Sequence, residues 1–178
     1  MGVVTTNKIY FSRDEMFELN KKKLLERGVT IESIAQITYN QQSKYSDNVS
    51  MKVCIESVKK ILSFREIFHL VQLSVDIDKL VEKNAFSEPI QSIMQSDLGM
   101  FGIDELFGLS IASLYGTIGQ TNFGDIDVNK PGIVGKLNEE GKGDKPRCNT
   151  FLDDIVGAIA AAAAIRISQI KSEEEAAK

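Results

Sequence analysis

The sequence predicts an all-α protein, a single-domain helical bundle with a buried Ala-rich helix surrounded by other helices. Three observations carry this. From Ile155 to Ile165 every residue is Ile, Val, Gly or Ala, and a helix that is apolar on all sides belongs inside a bundle. Upstream, apolar residues recur at helical spacing between capping residues. No stretch alternates β-branched and polar residues as a half-buried strand would.

Taken in order, residues 1–11 read as an arm. Ser12, Asp14 and Glu15 then cap a helix with the stripe Met16, Phe17, Leu19, Leu24 and Leu25, closed by Gly28. Its Lys21-Lys22-Lys23 run is a solvated face. Thr30 caps the next helix, with Ile31, Ile34, Ala35 and Ile37 inward. The words Arg27 to Ala35 sound like a helix-turn-helix opening, but no basic recognition helix follows.

A polar break, Ser46-Asp47-Asn48, leads to a helix from Ser50 to Leu62 with Cys54, Val58 and Ile61 on its apolar face. Ser63-Phe64-Arg65-Glu66 reads as a capping box opening a long helix towards Asn84, with the stripe Ile67, Leu70, Val71, Ser74, Ile77, Leu80 and Val81. Ser87-Glu88-Pro89 starts another. After a break carrying Gly99 and Gly102, a helix runs from Ile103 to the region of Tyr115. Residues 120–149 hold two of the three prolines and read as a turn-rich loop with a short helix around Ile133 to Leu137. The polar end, 172–178, is expected to fray.

Two segments repeat one pattern. Ile103-Asp104-Glu105-Leu106-Phe107-Gly108 and Leu152-Asp153-Asp154-Ile155-Val156-Gly157 each read apolar, acid, acid, apolar, apolar, Gly. The second acid and the glycine lie on one helix face, so two such helices packed glycine to glycine bring both acid pairs together. Carboxylates that close in low dielectric must protonate or recruit a cation, so a divalent metal is expected there. Against this, first-turn acids favour the helix dipole in any helix, and Thr150 with Asp153 makes a serviceable capping box. The repetition with glycine at the same offset tips the balance to metal. Asp125 and Asp127 could complete the site. Lys130, Lys136, Lys142, Lys145 and Arg147 could hold a phosphate, although Lys142, Lys145 and Arg147 read better as solvated loop charges.

Composition narrows the chemistry. At 178 residues the chain suits one domain, and a globule of that size buries about 70% of its unfolded surface. With 21 basic and 25 acidic residues the net charge is −4, which argues against nucleic acid as a partner. The two cysteines, Cys54 and Cys148, match no ligand spacing and read as reduced thiols of a cytoplasmic protein. The single histidine, His69, sits in a helical stripe, so a zinc site built on Cys and His is not expected. An oxygen-only donor set points to a hard cation, Mg2+. No signal peptide is visible, and the apolar run ends at Arg166, short of the ~20 residues of a membrane span.

Three motifs resemble those of the phosphatidylglycerophosphatase A family. Asp104-Glu105-Leu106-Phe107-Gly108 is similar to its Asp-Glu-x-x-Gly helix, Asp127-Val128-Asn129-Lys130-Pro131 to its Asp-x-x-Lys-Pro segment, and Asp153-Asp154-Ile155-Val156-Gly157 to its Asp-Asp-x-x-x-Gly signature with the glycine one residue earlier. The resemblance spans Gly99 to Ile165. It implies a Mg2+-dependent phosphatase acting on phosphatidylglycerophosphate, with Asp104, Glu105, Asp127, Asp153 and Asp154 as metal ligands or activators of water. Asp153, Asp154 and Glu105 would be the catalytic residues, and Lys130 would lie near the phosphate. The membrane members open with apolar spanning segments, whereas this chain opens with charged amphipathic helices and looks like the soluble Gram-positive branch. The expected partner is therefore a phosphorylated lipid or a smaller phosphomonoester, met at a membrane surface without a spanning segment. The thin Ala-rich helix would also suit a homo-oligomer. A non-catalytic metal staple or sensor, and an all-α nucleotide pyrophosphatase, are the alternatives the residues leave open.

Overall fold

The alanine run is where the helices converge. The computed structural model describes residues 8–46, 48–141 and 147–178, and every regular element among them is helical. In chain order these are α1 (Arg13–Glu26), α2 (Ile31–Gln42), α3 (Met51–Leu62), α4 (Arg65–Val81), α5 (Ile90–Gln95), α6 (Ile103–Ala112), a 3-10 turn (Ser113–Tyr115), α7 (Gly116–Asn129), α8 (Ile133–Gly141) and α9 (Leu152–Ala176).

From Leu152 to Ile165, α9 is buried at every position, with α2, α3, α6 and α7 packed most extensively around it. Methyl-sized side chains let neighbouring polar groups reach its backbone. Thr38 and Gln42 of α2 donate to the carbonyls of Ala160 and Ala164 at 3.3 and 2.6 Å, and Ser57 of α3 donates to that of Ala163 at 2.8 Å. By length and composition α9 could cross a membrane, but its apolar part is enclosed by the other helices, as in a protein core.

Local chemistry fixes several ends. Ser12 and Glu15 form a reciprocal capping box at α1, and Thr30 and Ser33 do the same at α2. Gly28, at φ +82°, turns the chain between them.

The expected helices differ from the structure in five places. Ser63 does not cap α4; its hydroxyl turns back to donate to the Lys60 carbonyl, and α4 begins at Arg65 behind Phe64. The segment taken as a turn-rich loop is mostly helix, with α7 running to Asn129 and α8 to Gly141. Glycine misled there, because Gly135, like Gly119 just before the segment, serves a close approach: a Cβ on either would stand 2.3 Å from a backbone carbonyl oxygen, that of Lys130 or Ala112. Gly108 and Gly157 do not pack on one another. Both make room for α7, Gly108 for the Phe123 ring and Gly157 for Ile126. Thr150 does not cap α9; it donates to the Met94 carbonyl at 2.7 Å. Finally, the residues set apart as a polar tail belong to α9, which runs exposed through Glu173-Glu174-Glu175 to Ala176.

Candidate metal and phosphate site

Two helix N-termini and one helix C-terminus meet at the site. Gly102, in the left-handed region at φ +72°, swings the chain into α6 so that Asp104 and Glu105 fall in its first turn. Asp104 is buried, 5% exposed. Asp153 and Asp154 occupy the first turn of α9, each 3% exposed. Asp127 comes from the last turn of α7, and Lys130 is its left-handed C-cap at φ +43°.

The start of α9 is held from outside. Asp78 of α4 accepts hydrogen bonds from the Phe151 and Leu152 backbone N–H groups, both at 3.1 Å, and so does the work expected of a local cap. Burial drives the Asp78 carboxyl well above the usual range, against the pull of those N–H groups and of Arg27. The buried Arg27 guanidinium ties the approach to α9 down, donating to Glu82 at 2.7 Å, to the Cys148 carbonyl at 2.5 Å and to Asn149 at 2.8 Å. Below lies an aromatic floor in which Phe107 and Phe101 meet Phe151 edge-on at 5.2 and 6.0 Å.

One carboxylate oxygen from each of Asp104, Glu105 and Asp154 lies within 4.8 Å of the other two. Asp104 Oδ1 and Glu105 Oε2 are buried without a hydrogen-bond partner among the described residues. Orphaned buried acceptors are rare, because each forfeits its hydration. The Lys130 ammonium lies alongside, 2.7 Å from Asp127, 3.0 Å from Asp153 and 3.5 Å from Asp154.

The electrostatics record the crowding. Burial, with the Asp153 charge beside it, pushes Asp154 up to about 9. Burial and the adjacent Glu105 push Asp104 up to about 8. Asp153 rises only to about 6, since Lys130 opposes the burial. Burial alone would lower Lys130, but Asp153, Asp127 and Asp154 outweigh it and hold the ammonium above the usual lysine range. Three converging carboxylates, two of which carry an orphaned oxygen, fit a hard divalent cation.

Of the residues singled out in the sequence, Asp104, Glu105, Asp127, Lys130, Asp153 and Asp154 all line one opening of about 210 Å3. Asp125 stands apart, because two residues of helix separate its direction from that of Asp127; it takes Gln41 at 2.8 Å and Lys44 at 3.0 Å instead. Lys136 is exposed and pairs with Glu140 at 3.8 Å, as does Arg147. Asp47, Lys142 and Lys145 lie outside the described residues. A larger groove of about 740 Å3, lined by Tyr45, Tyr115, Ile118 and Ile165, opens at the other end of the buried stretch of α9. Among its lining residues Glu173 alone carries a carboxylate, so it offers no comparable donor set.

A family model described as phosphatidylglycerophosphatase A matches residues 30–169, which takes in every residue of this opening. The chain belongs to the phosphatidylglycerophosphatase A family. It is 45% identical over 158 residues to the protein YpjQ of Bacillus subtilis (strain 168), covering 89% of this chain and 87% of that one. The crystal structure of YpjQ superposes with a TM-score of 0.85 at 43% identity, over 92% of this chain and 99% of that chain. The low temperature requirement C protein of Listeria monocytogenes superposes at 0.83 and 41% identity, over 88% of this chain and 97% of that chain.

Within this family member, three residues at or behind the opening escaped the sequence reading. Asp97 and Asn138 line it, and the Asp97 charge helps raise Asp153. Asp78 caps α9 from behind. Its signal was present, since Ser74, Asp78 and Val81 share one buried face at helical spacing. An acid in an apolar register needs a partner, and that partner is the start of α9.

Proposed function

We propose that the chain is a divalent-metal-dependent phosphatase that hydrolyses a phosphomonoester, with phosphatidylglycerophosphate as substrate and phosphatidylglycerol as product. The observation that carries this reading is the convergence of the Asp104, Glu105 and Asp154 carboxylates, two of which carry an oxygen without a partner, beside an ammonium that can meet a phosphate. Family membership supports the substrate class.

Asp104, Glu105 and Asp154 would hold Mg2+, which when bound neutralises phosphoryl charge and acidifies a water molecule. Lys130 leaves part of its carboxylate pairing to bind a phosphoryl oxygen, and its partners Asp127 and Asp153 keep it aimed. To Asp153 we assign the proton of the attacking water. With its carboxyl near 6 it is ionised at neutral pH yet still basic enough to accept. Water adds its oxygen to phosphorus and gives its proton to Asp153, the bond to the ester oxygen breaks, and the leaving alkoxide takes up that proton, returned through solvent, to depart as the alcohol. Two free, buried thiols suit action from the cytoplasmic side.

The test is phosphate release from a short-chain phosphatidylglycerophosphate by purified protein, with Mg2+ and with chelator. Release is expected only with metal, and Asp153→Asn is expected to lower kcat by about a hundredfold or more. Unchanged turnover in a folded Asp153→Asn protein would remove the assigned base. A folded protein that binds Mg2+ and cleaves no phosphomonoester would make the cluster a structural or regulatory metal site instead.

A further inference from the structure

The mouth of the carboxylate opening has an apolar rim that none of the described residues covers. Leu98 lines the opening itself and is 48% exposed. From it runs an uncharged segment, Leu98-Gly99-Met100-Phe101-Gly102-Ile103. Phe101 turns inward against Phe151 and pins the segment, while Met100 stands 90% exposed between the two glycines. Ile103 and Leu106, one turn apart on α6, are 43% and 55% exposed, opposite the face that buries Asp104, Gly108 and Ile111. Four large apolar side chains in nine residues, beside a charged opening, is the pattern of an interaction surface.

We infer that Leu98, Met100, Ile103 and Leu106 dock the chain onto a lipid surface, with the carboxylate opening facing the head groups. The inference rests on reading that opening as a phosphomonoester site. Two observations favour lipid over a protein partner. The rim is continuous with the opening through Leu98, so a protein seated on it would obstruct the path of the phosphate, whereas a lipid surface brings the phosphate with it. The rim is also apolar where it meets solvent: Leu98 to Ile103 carries no charged side chain, and the Asp104 and Glu105 that follow line the opening. A chain of net charge −4 gains little from long-range attraction to an anionic membrane, so insertion of apolar side chains has to supply the binding.

The experiment is flotation of the full chain with phosphatidylcholine vesicles carrying a minority of phosphatidic acid, in Mg2+, at low and high salt. The wild-type protein is expected to float at both salt concentrations, because apolar insertion is not screened. Met100→Ser combined with Leu106→Ser is expected to weaken vesicle binding roughly tenfold or more. Both side chains are exposed and neither lines the opening, so the melting temperature and phosphate release from a monomeric short-chain phosphomonoester are expected to stay at wild-type values. Equal flotation of variant and wild type, or none by the wild type, overturns the inference. So does a wild-type dimer that the double variant abolishes in the absence of vesicles, since the rim would then belong to a second copy. If neither protein cleaves the soluble phosphomonoester but the variant alone fails to float, the docking surface stands and the phosphatase reading falls.

Discussion

Asp154 and Asp104 hold their protons far above the ordinary carboxyl value of 3.8, at about 9 and about 8. In the unfolded chain both would ionise near their ordinary value. Between about pH 4 and pH 9 the folded, metal-free protein therefore binds more protons than the unfolded chain, and its stability falls as pH rises through that window. A cation bound at the cluster would take the place of those protons, so its benefit would grow with pH. Melting curves from pH 6 to 9 are expected to show a Mg2+ increment that increases with pH, and Asp154→Asn is expected to flatten the metal-free decline. An increment independent of pH would mean that the cation binds elsewhere.

At the scale of elements, the site depends on how α9 begins. Its first N–H groups are satisfied by a side chain from α4 and its approach is clamped by a guanidinium from the end of α1. Asp78→Ala leaves two buried N–H groups unpaired. The expected loss is about 2–5 kcal/mol of unfolding free energy in urea. Asp78→Asn keeps an acceptor oxygen and is expected to recover part of it. Wild-type stability in Asp78→Ala would mean that water replaces the carboxylate. The same element explains which parts of the site could be read in advance. Asp104, Glu105, Asp153 and Asp154 carry a local signature, adjacent acids with glycine three residues on, and Lys130 follows Asp127 by three. Asp78 and Asn138 come from helices whose faces meet the others only after packing, and neither belongs to a repeated motif. The loop expected across residues 120–149 failed for a related reason: its glycines allow close helix contacts, and a single sequence does not distinguish a glycine that turns the chain from one that makes room for a neighbour.

At the scale of the whole molecule, α9 is a central post for the first part of its length and a free helix for the rest. Leu152 to Ile165 is buried, whereas the acidic turns near Ala176 are exposed. Hydrogen exchange is expected to divide the helix accordingly. Amides of residues 156–165 should open only with global unfolding, and those of 170–176 should exchange early through fraying. Uniform protection along α9 would show that its exposed end is covered by something else, such as a second copy.

Periodicity, caps and the run from Ile155 to Ile165 were enough for the helical class and the central helix, because both follow from short-range sterics and from the need to bury an all-apolar surface. The clustering of the paired acids was legible for the same reason, since adjacent carboxylates beside apolar residues carry their electrostatic conflict in the local sequence. Tertiary structure alone decided that Lys130, beside Asp127 at the end of α7, crosses to Asp153 and Asp154 of α9, and that Asp78 caps a helix 73 residues away. It also decided that Leu98, Met100, Ile103 and Leu106 remain uncovered. These outcomes depend on which helix faces meet, a non-local balance of packing that no window along the chain contains.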